Sequence, residues 1–262
     1  MNLVDILVGY LCLYQKARLF CMQDIEKDEW YEFQEAVYSK TWKNAGENES
    51  DYMKIESALR DEYRKLAKDQ GYRSRSSYKL LEINKKHDLL KQNDTILDIG
   101  CAPGGWLQVS KKLSDPNGKV VGIDIDPVQP IAGISTMLVD IEDPNVVEII
   151  KKKFPFSFDV VLSDLSPKVS GIWHYDHERQ ISLTLVALQI STKLLKIGGN
   201  AVFKIFEGRH SGDVKKQASK VFLKVTACKP KASRQKSSEF YLVCSSFKES
   251  HTTLLNEMKV LG

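Results

Sequence analysis

The chain has 262 residues, 42% of them apolar, which is enough for one large folded domain or a domain with an appendage, and a soluble globular protein is expected. Its five cysteines form no C-x-x-C pair, so neither a zinc site nor a disulfide framework is indicated and a reducing, cytoplasmic setting fits; no metal site is expected. The net charge of +4 hides an asymmetry: residues 1–70 carry 10 Lys and Arg against 14 Asp and Glu, and the remainder 28 against 20, so a basic partner surface belongs to the larger part.

The opening run, "MNLVDILVGYLCLYQKARLF", lacks a basic start, carries Asp5 and breaks at Gln15 to Arg18, too early to span a bilayer. Neither a targeting signal nor a membrane partner is expected. Residues 1–50 read as a helical, acid-rich and aromatic N-terminal extension to which no role is assigned. Residues 51–90 form a basic helical lead-in: Tyr52, Ile55, Leu59, Tyr63 and Leu66 make a helical stripe that stops at Gly71, and "SSYKLLEINKKH" follows as a second helix.

Residues 91–250 alternate short β-rich runs with helical stretches, the pattern of a mostly parallel α/β sheet. Strands are expected at 95–100, 119–125, 135–140, 158–164, 200–206, 223–229 and 239–246, and helices at 105–113, 144–153, 177–196 and 212–221, the third closed by Gly198 and Gly199. The last two strands are joined by only "PKASRQKSS", too short for a parallel crossover, so the final strand should be antiparallel. A seven-stranded sheet of this kind is the class I methyltransferase variation on the Rossmann plan. Residues 251–262 are a C-terminal tail.

The most informative stretch is "TILDIGCAPGGWLQV", a strand, a glycine turn and a helix start, which together make a site for a nucleotide-like ligand. A dinucleotide fingerprint needs G-x-G-x-x-G, and here the middle glycine is missing, while Pro103 removes a backbone N–H from the loop that would cradle pyrophosphate. The turn suits a ligand without phosphates. Asp98 near the end of the first strand can orient a cationic amino acid group, and Asp124 at the end of the second can accept hydrogen bonds from a ribose diol; both suit S-adenosylmethionine. A plain strand–turn–helix junction that needs glycine for tight packing is the rival reading.

"YRSRSSYKLLEIN", "LDIGCAPGGWLQV", "LSDLSPKVSG", "GGNAVFKIF" and "SSEFYLV" resemble, in order and spacing, the segments of the FtsJ/RrmJ (RlmE) family of RNA ribose 2′-O-methyltransferases, over about residues 60–247. The lead-in helix looks most like archaeal members. The resemblance implies S-adenosylmethionine as cofactor, bound by Gly104, Trp106, Asp124, Asp140 and Asp164, and a catalytic set of Lys79, Asp164, Lys204 and Glu239. It implies a Rossmann-like class I fold acting on a uridine 2′-hydroxyl of 23S-type large-subunit rRNA in an assembled or assembling ribosomal subunit. A tRNA anticodon loop is the alternative substrate, and a non-catalytic RNA-binding ribosome-assembly factor the alternative from another class.

The chemistry explains the set. A ribose hydroxyl becomes a nucleophile only as its proton leaves, so a base must sit beside it. Free lysine, with a pKa of about 10.4, is mostly protonated at neutral pH, and burial with a neighbouring cation lowers that value. Lys204, set in the apolar strand "NAVFKIF", is the expected general base, Lys79 its electrostatic partner and substrate orienter, and Asp164 and Glu239 the carboxylates that fix both amines. Taken singly, Lys79 reads as a solvated helix lysine and Glu239 as a strand-edge charge.

Tyr241, two residues after Glu239, is expected to shape the pocket, and Cys101 to be a small loop residue. "HYDH", His174 to His177, lacks a third metal ligand and reads as part of a mobile loop after Asp164, with Trp173 or Tyr175 available to stack on a base. Arg60, Arg64, Lys65, Lys68, Arg73, Arg75, Lys85 and Lys86 form one basic run and Lys229 to Lys236 another, both flanking catalytic candidates, as an RNA backbone drawn across the site requires. The enzyme is expected to act as a monomer.

Overall fold

The computed structural model describes residues 62–248 except 169, 235 and 236. The expected 1–50 extension and 251–262 tail, with Arg60 and Lys236, lie outside the described residues. Residues 62–69 are helical, and α1 (Ser77–His87), β1 (Thr95–Ile99), α2 (Gly105–Ser114), β2 (Lys119–Asp124), β3 (Ile134–Leu138), α3 (Val146–Lys153), β4 (Phe158–Ser163), α4 (Trp173–Leu194), β5 (Leu195–Phe206), α5 (Ser211–Val221), β6 (Phe222–Cys228) and β7 (Glu239–Phe247) follow.

The seven strands form one sheet in the order β3-β2-β1-β4-β5-β7-β6. Every pair from β3 to β5 is parallel, and β7 runs antiparallel to both β5 and β6. The antiparallel β7 is what the short β6–β7 connection foretells, and the whole is the expected Rossmann-like class I sheet of seven strands. Because side chains alternate across a strand, the apolar strands feed two cores. Leu97, Val161, Phe203 and Leu242 pack under α3, α4 and α5, whereas Ile96, Leu162, Val202 and Val243 meet Leu80 and Ile83 of α1 and Leu107 and Val109 of α2. Leu80 and Ile83 are completely buried, each worth about 1.5–3 kcal/mol by transfer from water, and they hold α1 on the sheet. Among the described residues no helix is long and apolar enough to cross a membrane.

Two boundaries differ from expectation. Gly198 and Gly199 do not close the third long helix: α4 ends at Leu194, where Leu195 turns extended, and both glycines lie inside β5. The β4–β5 register jumps from Phe158↔Leu195 to Val160↔Asn200, so residues 196–199 bulge opposite Asp159. Gly198 sits at φ +83°, and a Cβ on Gly199 would lie 2.9 Å from the Asp159 carbonyl oxygen, so a bulge, not a cap, requires glycine here.

The second difference is at "HYDH", which forms the first turn of α4 and not a loop. Asp176 supplies the reason. Its carboxylate accepts the Ser170 N–H and Ser170 Oγ, both at 2.8 Å, and the Gly171 N–H at 3.2 Å, tying the preceding loop to the helix start. These hydrogen bonds, those of Ser170 foremost, hold the Asp176 carboxyl below its ordinary value.

Candidate active site

Lys79 lies in the first turn of α1, Lys204 on β5 and Glu239 at the start of β7, while Asp164 directly follows β4. In the antiparallel β5–β7 ladder Lys204 stands opposite Tyr241 and Phe206 opposite Glu239, so alternation brings Lys204, Tyr241 and Glu239 to one face, the face covered by α1. The parallel β4–β5 ladder ends at Ser163↔Phe203, which delivers Asp164 beside Lys204.

The four residues close into two ion pairs. Lys79 Nζ lies 2.5 Å from Glu239 Oε1, with only about a tenth of either side chain exposed. Lys204 Nζ donates to the Asp164 carbonyl oxygen at 3.0 Å and sits 3.4 Å from its Oδ1. Tyr241 joins the pairs: its hydroxyl donates to Asp164 Oδ1 at 2.7 Å, and Lys79 Nζ lies 5.8 Å from its ring centroid. Burial pushes the Glu239 carboxyl up, but the charges of Lys79 and Lys204 outweigh it and leave the group below its ordinary value. Burial, followed by the charges of Asp164 and Glu239, pushes the Tyr241 phenol well up, so Tyr241 stays a hydrogen-bond donor.

Sequence reasoning did not find the backbone support behind Lys204. Past the end of the β4 ladder its carbonyl oxygen accepts Gln180 Nε2 and Thr184 Oγ1, each at 3.0 Å, from one face of α4. Both residues are buried, and polar residues four apart, on one helix face among Ile181, Leu183 and Ala187, were the available signal.

The glycine turn stands at the carboxyl end of β1. Gly100 has φ +78° and Gly104 φ +109°, the latter forming the N-cap of α2. Asp124 Oδ2 accepts the Ala102 N–H at 2.7 Å and Oδ1 the Asp126 N–H at 2.9 Å, so the carboxylate at the tip of β2 also holds the turn in shape. Asp140 lies two residues beyond β3, exposed, its Oδ1 accepting the Glu142 N–H at 2.9 Å. Trp106 is buried: its indole N–H donates to the Ser76 carbonyl at 2.8 Å and its ring packs 5.7 Å from that of Tyr241. Its side chain therefore braces α1 against β7, leaving the backbone as its means of touching a ligand. Cys101 is a buried loop residue, its thiol pushed up by burial and then by the charges of Asp98 and Asp124, which makes it inert as a nucleophile.

A family model described as FtsJ-like methyltransferase matches residues 72–247. The chain belongs to the FtsJ-like methyltransferase family. It is 47% identical over 195 residues to the ribosomal RNA large subunit methyltransferase E of Nitrosopumilus maritimus, covering 74% of this chain and 99% of that one. Identity to the protein of the same name from Methanosarcina acetivorans is 45% over 189 residues, 72% of this chain and 69% of the other. A solved structure of a Plasmodium falciparum protein assigned as a ribosomal RNA methyltransferase superposes with a TM-score of 0.60 at 33% identity, over 67% of this chain and 98% of that one.

The residues of this FtsJ-like site fit S-adenosylmethionine. Asp98, fully buried under the turn, has no hydrogen-bond partner for either carboxylate oxygen, and burial, then the charges of Asp164 and Asp124, pushes its carboxyl well up. An orphaned acid beside the turn is what a cationic amino acid group would satisfy. Each Asp124 oxygen, with one N–H accepted, keeps a lone pair for a ribose hydroxyl.

One part of the basic run serves the fold. Arg73 donates through Nη1 to the carbonyl oxygens of Pro103 at 3.2 Å and Gln129 at 2.6 Å, and through Nη2 to that of Pro130 at 2.9 Å. It pins the glycine turn to the loop after β2. Arg75 Nη2 donates to the Ala232 carbonyl at 2.8 Å. The two basic runs do converge: Ala67, Tyr78 and Ala232 form a small buried cluster, and Glu82 accepts the backbone N–H groups of Lys231 and Ala232. Arg64, Lys65, Lys68, Lys85, Lys86 and Arg234 are exposed around it.

Proposed function

We propose that this protein is an S-adenosylmethionine-dependent RNA ribose 2′-O-methyltransferase whose substrate is a uridine of 23S-type large-subunit rRNA, with Lys204 as general base. The observation that carries the reading is the closed set of two amines and two carboxylates, Lys79–Glu239 and Lys204–Asp164, beside the glycine turn. The names of the curated relatives favour large-subunit rRNA as the substrate.

S-adenosylmethionine supplies an electrophilic methyl group when bound, held by the backbone of Gly104 and Trp106 and the carboxylates of Asp124, Asp140 and Asp164. In the reactive state the Lys204 amine would donate to the Asp164 carbonyl, as it does here, and its lone pair would accept the proton of the ribose 2′-hydroxyl as that oxygen takes the methyl group and the methyl–sulfur bond of the sulfonium breaks to leave a neutral thioether. Asp164 Oδ1 faces the ammonium that results, and Tyr241 fixes that carboxylate in place. Glu239 holds Lys79, whose ammonium orients the hydroxyl and steadies negative charge as it develops. General-base action is worth roughly 10²–10⁴ in rate, while alignment supplies about 7–11 kcal/mol, so positioning by the whole set outweighs the proton transfer.

The test is a substrate panel: the purified protein is incubated with methyl-labelled S-adenosylmethionine and, separately, large ribosomal subunits, free large-subunit RNA and tRNA that lack the modification. Label recovered as 2′-O-methyluridine from large-subunit RNA is the expected result. Label in tRNA alone would keep the chemistry and replace the substrate, and cofactor binding without transfer to any RNA would favour an RNA-binding assembly factor.

A further inference from the structure

Beyond the reactive pairs lies an aromatic surface that the described residues leave exposed. Trp173, at the start of α4, is 48% exposed, and Ile172 and Tyr175 beside it are 65% and 63% exposed. The Trp173 ring is nevertheless held flat: it stacks at 20° on Phe206, centroids 6.2 Å apart, and at 23° on His177, centroids 6.0 Å apart. His177 is itself fixed beneath the loop after β5, where a Cβ on Gly208 would fall 2.5 Å from its ring, so that this loop must carry glycine. The loop on the other side is tied down by Asp176.

Position gives the surface its meaning. Phe206 follows Lys204 by two residues on the same face of β5, about 6.8 Å along the strand, and it stands opposite Glu239 in the ladder. A nucleotide whose 2′-hydroxyl meets Lys204 carries its base within that distance of the reacting oxygen. Lys168 and Arg209, both exposed, lie on the loops leading into Trp173 and out of Phe206, where they can face the phosphates on either side.

We infer that Trp173, backed by Phe206 and His177, is a stacking platform for a single-stranded nucleobase, that of the nucleotide presented to Lys204. This deepens the RNA methyltransferase reading and rests on it for the placement of the ribose. Aromatic stacking accepts any base because every base has a π-face, so the platform supplies affinity and alignment, and identity must be read elsewhere.

The test compares wild type, Trp173→Ala and Trp173→Phe for binding, by fluorescence anisotropy, of a labelled oligouridylate of about ten nucleotides, within the usual reach of a single-strand groove, and of an abasic ribose-phosphate chain of equal length. Wild type should prefer the oligouridylate, Trp173→Ala should lose about tenfold on it and nothing on the abasic chain, and Trp173→Phe should stay within about threefold of wild type, as stacking of this strength requires. Binding of S-adenosylhomocysteine, measured by calorimetry, should be equal in all three, and with large-subunit RNA the alanine variant should raise the KM for RNA while leaving that for S-adenosylmethionine unchanged. The platform is refuted if Trp173→Ala binds oligouridylate like wild type, loses equally on both chains, or if wild type does not distinguish them. Failure of wild type to methylate any RNA would instead remove the function proposed above, and the binding comparison would still decide the platform.

Discussion

At the scale of single residues the site is a balance of buried charge. Two lysines and two carboxylates are tolerated together because each amine has an acid within ion-pair distance, and removing one partner of such a buried pair typically costs about 3–5 kcal/mol. Lys204→Ala should therefore lose nearly all methyl transfer, more than the proton step alone, while S-adenosylhomocysteine binding by calorimetry stays close to wild type. Glu239 and Asp98 have opposite linkage. The Glu239 carboxyl is depressed in the fold, so its contribution to stability is complete above its ordinary value of 4.5 and is lost as the pH falls below it. Glu239→Gln should make Tm less steep on the acid side of that point. The Asp98 carboxyl is raised, so the fold keeps a proton that the unfolded chain releases, and its contribution falls as the pH rises from 3.8. Asp98→Asn should gain Tm over wild type progressively as the pH rises above the ordinary carboxyl value of 3.8 while weakening S-adenosylhomocysteine binding; a gain independent of pH would contradict the assignment.

At the scale of elements, what positions the site is a set of joints between secondary structures. Arg73 is one of them, since its three hydrogen bonds to carbonyl oxygens link the chain before α1 to the glycine turn and to the loop after β2. Arg73→Ala should raise the Kd for S-adenosylhomocysteine about tenfold and leave the salt dependence of RNA binding unchanged, whereas a phosphate contact would show the reverse. This joint was not legible in the sequence, where Arg73 is one more cation in a basic run, because a guanidinium that binds carbonyls and one that binds phosphate have the same local signature. The seven strands were legible, since alternation and short apolar runs record burial directly. Lys79, Asp164, Lys204 and Glu239 stood out only through the family resemblance, since taken singly Lys79 reads as a solvated helix lysine and Glu239 as a strand-edge charge; what the structure adds is that their side chains meet in two ion pairs. The first turn of α4 was not legible, because it is tied in by the Asp176 carboxylate accepting N–H groups of the preceding loop, which leaves no apolar period in "WHYD". Nor was the bulge at 196–199, where two glycines after a helix imitate a cap and serve the neighbouring strand instead.

At the scale of the molecule, the exposed cations around α1 and the β6–β7 connection lie on the side of the sheet that carries Lys79 and Glu239. Lys68→Gln together with Lys86→Gln should reduce the slope of log K for RNA against log salt by about 0.7 per lysine, the single-strand value, without changing cofactor affinity. The central claim is that this surface delivers a ribose hydroxyl to Lys204. It is tested most directly by mapping alkali-resistant linkages in large-subunit RNA after incubation with S-adenosylmethionine and either wild-type protein or Lys204→Ala. One new resistant linkage at a uridine with wild type, absent with the variant although the variant binds S-adenosylhomocysteine normally, is the predicted result. Methylation on a base with every linkage still cleavable, or an undiminished resistant linkage with Lys204→Ala, would contradict the account.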